Sequence, residues 1–260
     1  MKPLDTVNPD DWNELEPHFE ALIGEDLTPE RVPDWLQRWS DLQCVIGEGA
    51  ARAGRAASEN TADKAAEARH LHYIQVIRPQ VQTAAQTLRN KLLRVEGYEP
   101  APDTIEMLKR FRSEATLFRA ENVPLEAELS TLETEYDKIV GAMAVTLDGA
   151  EATLPQAEQK LRESDRETRE SAWRAVQSRW LQDRDVLDAL YLKLLPLRRQ
   201  LAQNAGLPEF RAYTWQALQR FDYTPEDTQA FHRAIETEVV PIAQRLREER
   251  RQQLGVDMLR

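Results

Sequence analysis

The four histidines are the residues of this chain with the most chemical potential, because imidazole serves both as a metal ligand and as a general base. They are His18, His70, His72 and His232. His70 and His72 are two residues apart in a predicted helix, so their side chains point to different faces and make a poor metal pair. Asp63 and Glu67 nearby make a weak surface metal site conceivable. A polar helix face is favoured, because no spacing typical of metal ligands is present.

His232 and Glu236 are one helical turn apart, which would place both side chains on one face of a helix. Two ligands are one short of the three protein ligands that catalytic zinc requires. Carboxylates are abundant in the sequence, but no pair can be assigned as acid and base, because these roles depend on burial. We therefore predict no catalytic residue and no metal ligand in this chain.

A segment between residues 210 and 223 concentrates aromatic rings and a guanidinium near a predicted helix junction. Two interpretations are open. In the favoured one, the segment packs a short helix and Arg220 forms an ion pair with Asp222. In the other, Tyr213, Arg220 or Tyr223 reaches the wall of a peptide-binding cleft. The second interpretation makes these three the candidate substrate-cleft residues.

Composition and charge limit the classes of partner. The chain has 260 residues and a formal net charge of -11, which argues against nucleic acid, because phosphate-binding surfaces are built from clustered Lys and Arg. No stretch approaches ~18 uninterrupted apolar residues, and the N-terminus lacks the apolar core of a signal peptide. Cys44 is the single cysteine, and we interpret it as a small buried apolar residue. We expect a cytoplasmic protein without a membrane partner.

Residues 1–97 are predicted to form a separate helical hairpin arm of long antiparallel helices. Asn8-Pro9 is the expected start of a first helix that ends near Gly24. The second carries an apolar stripe at helical spacing, consisting of Trp35, Trp39, Leu42 and Ile46. The small residues of segment 49–54 would let a neighbouring backbone approach closely. Pro79 is expected to kink a third helix, because it removes one backbone hydrogen bond.

The linker Gly97–Pro102 is rich in proline and predicts the start of a second domain, 103–260. The predicted class is all-α with one short β-hairpin near 143–154, where Asp148-Gly149 fits a two-residue type I′ turn. Ser164 and Glu167 form a candidate capping box for one long helix that runs to Gly206. Another helix is expected to start at Thr224-Pro225 and to end at Gly255.

Several segments of this sequence resemble the oligoendopeptidase F branch of the thimet-oligopeptidase-like zinc metallopeptidases. The resemblance covers roughly residues 105–255. It rests on short sequence motifs that occur in the same order as in that family. These motifs are Glu114–Leu125, Gly141–Val145, Thr153–Gln156, Asp165–Trp173 and Arg220–Asp227.

The resemblance implies a helical clamshell with zinc at the floor of a channel, where short peptides are hydrolysed. Members of this family carry His-Glu-x-x-His, two zinc-binding imidazoles with a general base between them, and none of the four histidines here is followed by Glu. The chain is therefore expected to be the non-catalytic N-terminal part of such a peptidase, forming one wall of the channel. Zinc is expected in the full-length enzyme and not here. This chain alone is predicted to be inactive.

Exposed apolar surface is the expected consequence of such a wall, and we predict self-association or binding to a C-terminal catalytic half through the helices after Ser164. The alternative is a self-standing helical binding or inhibitory module without catalysis. A helical enzyme with unrelated chemistry ranks last, because the sequence contains no nucleophile or metal motif.

Overall fold

The computed structural model describes residues 2–259 and is almost entirely helical. It begins with α1 (Trp12–Gly24), α2 (Val32–Glu59), α3 (Lys64–His72), α4 (Arg78–Leu92), α5 (Ile105–Leu117) and α6 (Asn122–Gly141). An antiparallel hairpin of β1 (Ala144–Leu147) and β2 (Ala150–Thr153) follows. The remaining helices are α7 (Leu154–Gln159), α8 (Arg166–Gln182), α9 (Arg184–Asn204), α10 (Phe210–Ala217), α11 (Pro225–Ala234) and α12 (Val240–Gln253). The predicted all-α class with one short β-hairpin is confirmed.

The largest apolar core joins α1, α2 and α4. All four residues of the predicted α2 stripe are at most 4% exposed, and Leu15, Phe19 and Leu88 are buried with them. Trp35 is fully buried, and its indole N–H donates to the carbonyl of Leu22 at 3.0 Å. Burying each of these large side chains contributes roughly 1.5–3 kcal/mol, so the stripe is the main support of this part of the chain.

The close approach expected at the small residues of α2 is made by Pro9. A Cβ atom added at Gly49 would lie 2.5 Å from the Cβ and Cγ atoms of Pro9, so only glycine fits. The expected helix start at Asn8-Pro9 is wrong by a few residues. The N-cap of α1 is Asp11, whose carboxylate accepts the N–H of Asn13 at 3.0 Å, and this leaves Pro9 free to pack against α2.

Proline disturbs two helices in the same way. A π-helical turn at Tyr73–Ile77 precedes Pro79 in the first turn of α4, and a second at Ile235–Val239 precedes Pro241 in the first turn of α12. A proline lacks the backbone N–H and its ring clashes with the preceding turn. The wider π-turn accommodates both the missing N–H and the proline ring. The irregularity that the sequence predicts at Pro79 is this π-turn.

The predicted linker is a loop between α4 and α5, but it does not separate two compact bodies. The chain divides into unit 1 (Met1–Tyr213) and unit 2 (Thr214–Arg260). Within unit 1, α4 packs against α5 and α6, and Leu108 of α5 belongs to the same core as α2. The domains predicted from the sequence, 1–97 and 103–260, have other boundaries than these two units. That these domains differ in function stays a prediction.

The β-hairpin has the predicted position and turn. Ala144 pairs with Thr153 and Leu147 with Ala150, which leaves Asp148 and Gly149 as the two turn residues. Both have positive φ, 53° and 79°, as a type I′ turn requires. The hairpin carries Val145 into a small second core with residues of α7 and α8.

Two details of the helices after residue 164 differ from the prediction. The N-cap of α8 is Asp165 and not Ser164, because the Asp165 carboxylate accepts the N–H of Thr168 at 2.7 Å. The single long helix expected up to Gly206 is interrupted at Asp183, which leaves helical geometry and accepts a hydrogen bond from Arg179 at 2.6 Å. The helix start at Thr224 is confirmed, with Thr224 and Asp227 forming a reciprocal capping box.

Candidate functional site

Tyr213, the first candidate cleft residue, is buried in unit 1 at 8% exposure. Its hydroxyl donates to Oε1 of Glu126 at 2.7 Å, and Oε2 of the same carboxylate accepts from Gln82 at 2.6 Å. Burial, followed by the negative charge of Glu126, raises the pKa of Tyr213 well above its usual range. The phenol is therefore neutral and fully used as a donor, and it ties α10 to α6.

A third core surrounds Tyr213. Its ring stacks on Phe210 with centroids 5.9 Å apart, and the guanidinium of Arg198 lies 5.5 Å from the centre of the Phe210 ring. Asn122 completes the polar part, since its side-chain N–H donates to the carbonyl of Leu201 at 3.1 Å and its oxygen accepts from Asn204 at 2.8 Å. These interactions position α6, α9 and α10.

Arg220 and Tyr223, the other two candidates, lie in unit 2 and meet at one indole ring. The guanidinium of Arg220 lies 4.9 Å from the centre of the Trp215 ring, in place of the expected ion pair with Asp222. The Tyr223 ring meets the same indole edge to face at 5.2 Å and is 45% exposed. A guanidinium over an aromatic face is a favourable cation–π contact. The cluster presents rings and positive charge, which suits recognition of a side chain or backbone carbonyl and not bond cleavage.

The histidines do not assemble a metal centre. Within residues 2–259, no group of three or more His, Cys, Asp and Glu side chains is placed to hold a metal ion. His232 is exposed, with its ring 6.5 Å from that of Phe231, and His72 is hydrogen-bonded to the carbonyl of Asp10 at 2.9 Å. The residues present therefore do not fit the zinc ion that the family resemblance implies.

His70 lies in a small polar pocket that the sequence does not reveal, between the end of α2, α3 and α6. The pocket has about 350 Å³ of space including open solvent, and Ser58, Thr61 and Thr134 line it. Burial lowers the pKa of His70, against the charge of Asp137, and its Nδ1 atom is buried without a hydrogen-bond partner within the described chain. His70 therefore lies on a polar face of α3 that α6 partly covers.

The charges of this pocket neutralise one another. Glu67 accepts from Lys138 at 2.7 Å and from Lys64 at 3.1 Å, and these hydrogen bonds, that of Lys138 first, lower the pKa of Glu67. Each of the two ammonium groups therefore has Glu67 as its carboxylate partner. It holds α3 against α6.

Cys44 is exposed, so its interpretation as a buried apolar residue is wrong. It lies two residues from both Leu42 and Ile46, so it points to a different face of α2 from the buried stripe. Across residues 2–259, no helix has both the length and the apolar content needed to span a bilayer.

The apolar surface after residue 164 is the feature that sequence patterning locates best. Of the eighteen large apolar side chains exposed within residues 2–259, all but four follow residue 164. In unit 2, we call four of them the α11–α12 apolar set, and their exposures run from 48% to 65%: Phe231, Val239, Ile242 and Leu246. In unit 1, others lie on α8 and α9: Leu181, Val186, Tyr191 and Leu192.

The family model of peptidase family M3 matches residues 160–260. This part of the chain resembles the M3 peptidases. The M3 segment, residues 160–260, contains most of this exposed apolar surface. No curated protein sequence matches the chain.

Solved structures extend the likeness over nearly the whole chain. PZ peptidase A, solved with an inhibitor, matches with a TM-score of 0.88 and 21% identity over 99% of this chain and 47% of its own. A Bacillus anthracis str. Ames protein, provisionally assigned as an oligoendopeptidase F, matches with a TM-score of 0.87 and 18% identity over 98% and 47%. An oligoendopeptidase-F from Enterococcus faecium matches at 0.69 and 14%, over 96% and 55%. At these identities the likeness shows the fold, and the chain spans about half the length of these relatives.

Proposed function

We propose that this chain is the non-catalytic helical part of an M3 oligoendopeptidase and forms one wall of its channel for short peptides. The fold likeness covers nearly all of this chain but only about half of the solved relatives. The described residues do not fit a zinc site. A part of the fold outside the match would hold zinc, which supplies a metal-activated water for peptide hydrolysis.

The α11–α12 apolar set is the observation that carries this proposal. A side chain such as Phe231 leaves 65% of its surface exposed in the structure as described. Monomeric proteins rarely expose contiguous apolar patches beyond a few hundred Å². Such residues are expected on a surface that packs against another body. We propose that the zinc-binding part of the M3 fold is the body that covers this surface.

Arg220 and Tyr223 are the residues of the wall that we propose to contact peptide. Trp215 holds both side chains in place, and Tyr223 keeps almost half of its surface exposed. A fixed aromatic ring offers contact area at little cost in conformational entropy. Tyr213 has a positioning role, because its hydroxyl is bound to Glu126.

The proposal is tested with the purified chain and a separately produced polypeptide of an M3 peptidase that carries His-Glu-x-x-His. We expect elemental analysis to find no stoichiometric zinc in this chain alone, because three zinc ligands are required. An internally quenched short peptide is expected to stay intact with either polypeptide alone and to be cleaved by the mixture.

Variants of the apolar set make the test specific. The double variant Phe231→Ser, Leu246→Ser is expected to weaken the association by at least about tenfold, since buried apolar anchors dominate interface energies. The control is Ile105→Ser, which removes from α5 an apolar residue that is 49% exposed and should leave the association unchanged. Cleavage or one tightly held zinc ion in this chain alone would refute the non-catalytic role. A monomer indifferent to the M3 polypeptide would support the self-standing module instead.

A further inference from the structure

A second pocket lies between the N-terminal segment, α1 and α2 in unit 1, far along the sequence from the M3 segment. We call it the His18 pocket. It has about 620 Å³ of space including open solvent, and its residues are Lys2, Pro3, Leu4, His18, Ala21, Leu22, Arg38 and Leu42. Aliphatic side chains form most of this lining, and Leu22 and Leu42 also belong to the main core. The pocket therefore has a fixed apolar wall.

His18 is the unusual member of this lining. It is only 7% exposed, and its Nε2 atom is buried with no hydrogen-bond partner within the described chain. Buried polar atoms in native proteins are almost always paired. Burial also lowers the pKa of His18, so the ring is neutral near pH 7 and can present one N–H to an acceptor.

Two cationic side chains share the pocket with His18. Arg38 donates from Nη2 to Glu25 at 2.6 Å and from Nε to the carbonyl of Asp34 at 3.4 Å, and neither of these bonds uses Nη1. Lys2 pairs with Glu14, which takes one of its three N–H groups. An acceptor in the pocket would thus meet donors from three side chains beside an aliphatic wall.

We propose that the His18 pocket binds a carboxylate attached to a short apolar group. A carboxylate accepts from several donors at once, which matches His18, Arg38 and Lys2, while the apolar group lies against Leu4, Leu22 and Leu42. Two sources present this chemistry: a short-chain fatty acid, and the C-terminal residue of a peptide with an aliphatic side chain. The proposal uses neither the α11–α12 apolar set nor the M3 relationship, so it stands or falls independently of the proposed function.

The test follows the imidazole signals of His18 by NMR in the full chain. Hexanoate represents the fatty acid and N-acetylleucine the peptide C-terminus. N-acetylleucinamide and hexanol lack the carboxylate and serve as matched ligands. We expect at least one of the two acids to give a saturable shift of the His18 signals. Arg38→Gln should weaken that binding about tenfold, the loss typical of one hydrogen bond to a charged group.

Two further variants guard against misfolding and general charge effects. His18→Phe keeps a buried ring but removes the ring nitrogens, and its binding of the acid that shifts the His18 signals, followed by calorimetry, should fall by a similar factor. Arg52→Gln is the control, because Arg52, like Arg38, lies on α2 and pairs with a glutamate, but it lies outside the pocket. This variant should bind as the unmodified chain does. Binding of one acid and not the other identifies the source. The proposal is overturned if neither acid binds, if the amide or hexanol binds as tightly, or if the correctly folded Arg38→Gln chain is unaffected.

Discussion

The hydroxyl of Tyr213 and the carboxylate of Glu126 form a single hydrogen bond that joins α10 to α6 across a separation of 87 residues. Tyr213→Phe keeps the ring packed on Phe210 and removes only the donor. A partly buried carboxylate then loses one of its two hydrogen bonds, which we expect to cost about 1–3 kcal/mol. Urea unfolding measures this change. Tyr136→Phe, at an exposed tyrosine, is the control and should shift stability by less than about 0.5 kcal/mol.

The same tyrosine predicts an alkaline limit to stability. Burial raises the pKa of Tyr213 above its ordinary value, so folding favours the protonated phenol. The stabilisation is fully present below the unfolded-state pKa of about 10 and is lost as the pH rises above that value. The free energy of unfolding should therefore fall above pH 10, and fall less steeply in Tyr213→Phe. Equal slopes in the two chains would contradict this assignment.

Sequence patterning predicts the buried apolar residues of this chain better than the buried polar ones. Trp35 and Trp39 repeat at helical spacing and are buried as predicted, because periodicity reports which face of a helix turns inward. Glu126 and His70 gave no such signal. Their surroundings come from helices tens of residues away in the sequence, and the burial of an ionisable group follows from tertiary packing.

Two glycines of α2 give a matched test of helix packing at the scale of an element. Gly49→Ala places a methyl group 2.5 Å from Pro9, whereas Gly47→Ala meets no atom within 4 Å. We expect the first to destabilise the chain by about 1–3 kcal/mol through overpacking. The second should stabilise it by about 0.5–1 kcal/mol, since alanine is the better helix former. Similar effects of the two changes in urea unfolding would refute the close contact.

The β-hairpin depends on the two positive φ angles of its turn. Gly149 has a φ of 79°, a conformation that is costly for a β-branched residue. We expect Gly149→Val to cost about 1–3 kcal/mol and to increase hydrogen exchange in β1 and β2. Asp148→Gly is the control, since glycine adopts the same φ without strain. An unchanged exchange rate in Gly149→Val would show that the hairpin does not need this turn.

Helix caps show where sequence reasoning loses resolution. Ser164 and Asp165 are both good N-cap residues, and their order along the chain does not say which carries the first helical turn. Asp165 is the N-cap, because its carboxylate accepts hydrogen bonds from both the N–H and the hydroxyl of Thr168. At Thr224 no competing residue precedes the proline, and the predicted cap is the observed one.

At the scale of the whole molecule, exposed apolar residues after residue 164 predict self-association. Sedimentation velocity should show an average mass that rises with concentration, because the α11–α12 apolar set gains burial only by contact with another body. Phe231→Ser with Leu246→Ser should reduce this rise, and Ile105→Ser should not. A chain that stays monomeric at all concentrations would contradict the prediction, although its mass says nothing about binding to an M3 polypeptide.

The two π-turns give the chain an unusual tolerance to a change in its length. A π-turn closes each hydrogen bond around one residue more than an α-turn does, so each of these turns stores a surplus residue. Deleting one residue from Ile235–Val239, together with Pro241→Ala, would convert the turn into ordinary α-helix. Residues beyond it would then keep nearly the same orientation relative to Phe231, because the deletion removes only the surplus residue. A single-codon deletion elsewhere in a helix rotates every following residue by about 100°, whereas here it is expected to leave Ile242 and Leu246 on the face that they occupy now.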